Sequence, residues 1–366
     1  MNHPQPQLPS KMIRTPLRYF LIFAVLLTLI VSASPSALAL DTIRLASEQV
    51  SGEIQSMTRD EVVIKPIGGA AVRTITTDQI ISITYTGQPG PMQMLVSQLS
   101  QSNYGAITRT LEMDSLKPER ISDERIKAEV AFYSAYAAAQ SALSGAGDLE
   151  AAGASMRDYV NANSNHWRYY TAAQTLGELY SAVGADDEAI RAFSLLRDAP
   201  SDEIKLNGAM AQAKSLMAAE RYDQAVPLFD EVLNAGGTSD AAKKRALVAE
   251  VGKISCNARL GDAEDGISTL KGIIDEGDSE DAELFAMAYT ALGNCHLAAG
   301  QNEEALLAFL HIDLLYPSQA RYRAEALYHL SRLWGEVGQG DRALQARQTL
   351  LSTFGDSTWA RKSAGQ

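Results

Sequence analysis

The chain has 366 residues, 46% of them hydrophobic, and a formal net charge of −12. That length accommodates a small domain beside a repeat array, with a sizeable core. The acidic balance excludes a protein that grips nucleic acid by bulk positive charge, and two cysteines, Cys256 and Cys295, exclude a disulfide framework.

Residues 1–39 read as a secretory signal peptide. Lys11, Arg14 and Arg18 precede the apolar run Tyr19 to Val31, and Ala37-Leu38-Ala39 supplies a small-x-small cleavage site. The run is short for a membrane span, so membrane contact is expected only if this segment stays uncleaved. No cysteine follows the site, which argues against a lipoprotein. Cleavage removes three cations and no acid and takes the charge to −15. The expected location is the periplasm or the exterior, where basic proteins or peptides are the better electrostatic partners.

Residues 40–88 change character. Thr42 to Leu45 and Val72 to Thr77 alternate, Val50 to Met57 contains Gly52, and Val62-Val63-Ile64 follows a turn at Arg59-Asp60. Ile80 to Tyr85 is apolar and β-branched. Short strands between turn signals predict a small antiparallel barrel, with Gly52 where a strand bends. The series Val50-x-Gly52-x-Ile54, Val62-x-Ile64 and Ile80-Ile81-x-Ile83 resembles the Sm-like and SH3-like barrels. Sm-like barrels often bind RNA; in an acidic exported chain a docking or homo-oligomerisation module is preferred. The alternative is a barrel that binds a polysaccharide or nucleic acid and is presented by the repeats.

Gly87 to Pro91 marks a boundary, and residues 89–121 are expected to form a linker and bridging helices. Helical repeats are expected over 122–356. Six helix pairs start near Asp123, Asn165, Asp202, Asp240, Glu280 and Gln319. A small residue recurs in each second helix: Ala151 or Ala152, Ala189, Ala225, Gly266, Ala305 and Ala343. From Ala189 the gaps are 36, 41, 39 and 38 residues. Within the pairs, Gly184, Gly261, Gly300 and Gly338 predict left-handed helix ends. Acids or Asn follow, read as side-chain caps and dipole partners for the second helix. Ala219-Glu220-Arg221 lacks the glycine. Residues 357–366 form a terminal cap, with Asp356 or Ser357 opening a short helix.

Tyr289, Leu292, Gly293, His296, Ala305, Phe309 and Pro317 follow the spacing W-x₂-L-G-x₂-Y…A-x₃-F…P, with Tyr for Trp and His for Tyr; Leu176, Gly177, Tyr180, Ala189, Phe193 and Pro200 repeat it. The segment therefore resembles the tetratricopeptide (TPR) repeat family, whose period is about 34 residues. The expected fold is mostly α: a TPR-like α-solenoid of about six helix hairpins preceded by a small all-β barrel. Neighbouring helices about 8–10 Å apart are too far for a disulfide, which needs Cα atoms within about 7 Å. Cys256 and Cys295 are expected as buried free thiols.

No catalytic motif emerges: no H-E-x-x-H, G-x-S-x-G or phosphate loop. His166, His311 and His329 lack a ligand partner at helical spacing, and His296 reads as packed. The acidic run Asp275 to Asp281 lacks calcium-loop spacing and reads as a solvated loop and cap. The expectation is a non-catalytic scaffold, without cofactor or metal, holding a protein or peptide. The resemblance implies that the first helices line a concave groove. Its inward positions, carried across by register, are Tyr133, Tyr136, Gln140, Gln174, Glu178, Asn207, Met210, Lys214, Asn294, Tyr328 and Arg332.

Overall fold

Alternating apolar and polar residues lay down five strands at the start of the computed structural model, which describes residues 40–277 and 281–365. The leader expected over residues 1–39 lies outside the described residues. The strands are β1 (Asp41–Leu45), β2 (Gln49–Met57), β3 (Glu61–Pro66), β4 (Arg73–Thr76) and β5 (Ile80–Thr84). They form one antiparallel sheet in the order β4-β3-β2-β1-β5. β2 pairs β1 through its first half and β3 through its second, turning over at Gly52. A Cβ there would lie 2.2 Å from the Lys65 carbonyl oxygen, so only glycine fits. The ladder is that of a curled sheet with β4 and β5 as its edges, joined by the 3-10 turn Thr77–Gln79; ring closure between them is not part of it.

Ile43, Val62, Ile64, Ile75 and Ile83 on the buried face share one core with Met92, Leu95 and Ile107. Those three belong to α1 (Pro91–Ser100) and α2 (Tyr104–Leu111). The core continues into Ile126, Val130 and Tyr133 of α3 (Glu124–Leu143). The short pair thus seals the sheet onto the array.

Six hairpins follow. They are α3 with α4 (Leu149–Ala162), α5 (Tyr169–Ala182) with α6 (Asp186–Ser194), and α7 (Asp202–Ala218) with α8 (Tyr222–Ala235). Then come α9 (Asp240–Leu260) with α10 (Glu264–Glu276), α11 (Ala282–Ala298) with α12 (Asn302–Leu315), and α13 (Ala320–Glu336) with α14 (Gly340–Thr353). The short α15 (Thr358–Ala364) ends the chain, with Ser357 Oγ accepting from the Ala360 N–H. No helix among the described residues is long and apolar enough to cross a membrane.

The recurring small residues explain the hairpin packing. Ala152, Ala189, Ala225 and Ala305 are buried. Phe309 and Phe193 then fold their rings onto Gly293 and Gly177: a Cβ on either glycine would meet the ring at 2.7 Å or 2.5 Å. Phe309 also stacks on His329 of the next hairpin, centroids 4.6 Å apart. Cys256 and Cys295 are free and buried, and burial pushes their thiols up to about 12 and about 11.

The turn glycines are left-handed as expected, Gly184, Gly261, Gly300 and Gly338 having φ of 72°, 95°, 72° and 74°. The caps differ from expectation. Ala185, Ala263, Gln301 and Gln339 occupy the N-cap positions, and none makes a side-chain cap bond. Asp186 and Asn302 are already the first helical residues. The six-residue turn satisfies the last carbonyls with backbone, as in Gln301 N–H to His296 O at 2.8 Å. That shifts the acids into the first turn, where they act on the dipole. Side-chain caps occur instead at Asp123, Asp148, Ser239 and Asp281.

A buried polar cluster locks the sheet to the array. Glu129 of α3 is 1% exposed. Its carboxylate accepts from Arg168 Nη2 at 2.9 Å and from Trp167 Nε1 at 3.0 Å. Trp167 Nε1–H is shared with the hydroxyl of Tyr85, just after β5, at 3.2 Å. The Arg168 guanidinium stacks on the Trp167 ring, 3.9 Å from its centroid. Beside this cluster the buried Asp41 of β1 accepts the Thr86 N–H at 2.7 Å and pairs with Arg125 of α3 at 3.3 Å. The β2–β3 turn reaches α5, where Tyr170 donates its hydroxyl to Asp60 at 2.7 Å.

Candidate functional site: the concave groove

Successive hairpins coil tightly enough for helices two and three hairpins apart to meet. Lys214 of α7 pairs with Glu283 of α11 at 3.1 Å, and Arg321 of α13 donates to the Lys214 carbonyl at 3.5 Å. The first helices thereby enclose a groove of about 930 Å³. α5 supplies Glu178 and Ser181, α7 supplies Lys214 and Met217, and α9 supplies Ser255 and Arg259. Met287 and Thr290 come from α11, Arg321, Tyr322 and Glu325 from α13. Tyr222 at the start of α8 completes this wall, and residues 353–359 with Arg361 close one side.

Some of the groove's charges are paired. Arg259 pairs with Glu325, and Asn294 of α11 donates to the same carboxylate at 3.1 Å. Asp186, at the mouth, has its carboxyl pushed up by burial, opposed by the Arg321 cation and reinforced by Asp187. Burial pushes the Tyr322 hydroxyl up to about 12, so it stays a neutral donor. The arrangement offers donors, acceptors and apolar patches to a ligand.

Of the residues carried across by register, Glu178 and Lys214 line this groove. Tyr133 is 1% exposed, sunk in the core shared with the sheet. Tyr136 stacks on Phe132 at 5.2 Å and meets Tyr104 edge-on at 6.3 Å. Gln140 is half-buried on α3. Gln174 is exposed and donates to Glu178 at 2.9 Å. Asn207 accepts from Arg245 at 3.2 Å, and Met210 packs into the α7–α8 core. Asn294 is buried behind Glu325, and Tyr328 lies beneath Trp359, centroids 5.2 Å apart. Arg332 is exposed, 5.9 Å from the Tyr328 ring. Tyr133 and Asn294 are thus corrected from groove lining to interior: the sheet and the α9–α13 ion pair cover them.

Two buried imidazoles bear on stability. His166 accepts or donates through Nδ1 to the Tyr159 hydroxyl at 3.0 Å, and His329 is sandwiched between Phe309 and Trp359. Burial pushes their pKa values down to about 4 and about 3. The unfolded chain protonates both near 6.5, so it binds more protons than the folded chain below that pH. Stability should therefore rise with pH up to about 6.5 and fall as pH drops toward the folded values. Each imidazole should cost about 2 kcal/mol by pH 5. Urea midpoints at pH 7.5 and pH 5.0 check this; His329→Phe, which keeps the stack on Phe309, should remove about half of the difference.

The architecture defines a mostly α protein: a TPR-like solenoid of helix hairpins with a small antiparallel sheet at its N-terminal end. The chain is similar to PilW, described as a widely conserved type IV pilus biogenesis factor, at 18% identity and a TM-score of 0.42, covering 64% of this chain and 97% of that one. It is also similar to a tetratricopeptide repeat protein from Parabacteroides merdae, at 12% identity and a TM-score of 0.46, covering 72% and 91%. No family model and no curated protein matches the chain.

Proposed function

We propose that this chain is a non-catalytic scaffold of the bacterial cell envelope that holds a peptide or helix of a protein partner in its concave groove. The observation that carries this reading is the groove of about 930 Å³, walled by first helices and furnished with Lys214, Tyr222, Arg321 and Glu325. A concave site of that size with a few convergent polar groups suits a ligand segment with apolar anchors. The basic and apolar leader and the Ala37-Leu38-Ala39 site support export. The sheet serves as the anchor of the first hairpin, since its apolar face is spent on α1, α2 and α3.

A photoreactive benzophenone side chain placed in living cells tests the groove. Substituted at the exposed, groove-lining Ser181, it should yield a discrete protein adduct. At Leu314 on α12, 64% exposed and outside the groove lining, it should not. Equal labelling from both positions, or none from Ser181, overturns the reading.

A further inference from the structure

Six hairpin turns share one backbone pattern, with a left-handed residue followed by an N–H that reaches back five residues. In the α7–α8 turn that bond is Arg221 N–H to Leu216 O at 2.8 Å. Five turns place glycine in the left-handed position: Gly145, Gly184, Gly261, Gly300 and Gly338. The sixth places Glu220 there, with φ of 59°. Glycine is unstrained in that region and glutamate is not, so this turn carries its side chain at a backbone cost.

The Glu220 carboxylate has a specific use. It pairs with Lys362 of α15, 142 residues further along the chain. α15 therefore lies along one side of the groove rather than only over the end of the last hairpin. Its Trp359 ring lies 5.2 Å from Tyr328 and 5.5 Å from the Arg259 guanidinium. Arg347 of α14 donates to the Ser363 carbonyl at 2.9 Å and holds its far end. In a chain of net charge −12, residues 357–366 carry Arg361 and Lys362 and no acid. The groove lining carries Glu178, Asp186 and Glu220 beside Lys214, Arg259 and Arg321, and of the acids it is Glu220 that meets α15.

Resting on the groove reading above, we propose that α15 is a displaceable wall of the groove, latched by Glu220. The partner is then a short helix of the same chemistry: an aromatic anchor followed within one turn by cations. It docks by taking the place of Trp359 and Lys362. The Glu220 carboxylate, the aromatic seat at Tyr328 and the backbone strain at Glu220 converge on that segment. The exposed ion pair is the weak part of the hold on α15; Ala360, buried in the core of the last hairpin, and Trp359 on Tyr328 are the apolar part that a partner must replace.

A fluorescent peptide of residues 356–366, added to the full chain, tests the exchange. Wild type should take it up poorly, because its own α15 fills the seat. Lys362→Glu repels Glu220 and leaves the seat intact, so it should bind the peptide at least fivefold more tightly. Glu220→Lys combined with Lys362→Glu should restore wild-type behaviour, and a peptide carrying Trp359→Ala should not bind. Trp359→Ala in the protein opens the seat by a second route and should match Lys362→Glu, so a folding defect in one variant does not decide the matter. Equal uptake by wild type and both opened chains, or uptake by none of them, overturns the proposal. A Ser181 adduct without peptide uptake removes this inference and leaves the groove reading standing.

Discussion

Glu129→Ala should lower the unfolding free energy by about 3–5 kcal/mol, the range for deleting one partner of a buried ion pair. The carboxylate is the common acceptor for Arg168 and Trp167. Without it the Arg168 guanidinium stays buried with the Tyr133 hydroxyl, at 3.5 Å, as its remaining hydrogen-bond acceptor among the described residues. Desolvation of that cation then goes uncompensated. Two further variants separate charge from packing. Glu129→Gln keeps an acceptor and should lose less than Glu129→Ala. Glu129→Leu with Arg168→Met removes both charges and should also lose less. Urea titrations followed by far-ultraviolet circular dichroism measure all three; a loss below about 1 kcal/mol for Glu129→Ala would mean that the cluster does not hold the joint.

The helical part of this fold was legible because its signals are local. A left-handed glycine, an alanine a few residues later and a phenylalanine four beyond that specify a hairpin within one repeat. The caps were misread for an equally local reason. The turn spends its backbone N–H on the preceding carbonyls, so Asp186 and Asn302 enter the helix instead of standing before it. The groove was poorly legible because its walls meet across long separations, Lys214 to Glu283 over 69 residues and Lys362 to Glu220 over 142. Repeat spacings of 36 to 41 residues also break a register carried over from a period of about 34. Arg259, Arg321 and Trp359 were therefore missed. Glu220 was visible as the missing glycine of its turn, and that departure from the pattern was the available signal.

Phe309→Ala should cost about 3–5 kcal/mol and should uncouple the last hairpin from the rest. The ring is fully buried, lies on Gly293 within its own hairpin and stacks on His329 of α13 at 4.6 Å. It therefore contributes to folding within one repeat and to the interface with the next. In a stacked array, stability is close to a sum of repeat and nearest-neighbour contributions, so losing the second lets α13, α14 and α15 unfold separately at lower denaturant. Trp334 and Trp359 report on that end, and their fluorescence change should precede the loss of total helicity. The complementary change, Gly293→Ala, puts a Cβ 2.7 Å from the ring and should cost about 1–3 kcal/mol by overpacking. Because both act on one contact, they should not add: Gly293→Ala with Phe309→Leu should be less damaging than the two single losses together, and a coupling near zero would mean that the ring and the glycine are independent. The same logic applies to Gly177 and Phe193, where a Cβ would meet the ring at 2.5 Å. There the first wall of the groove, α5, is at stake, so that pair ties hairpin packing directly to the shape of the site.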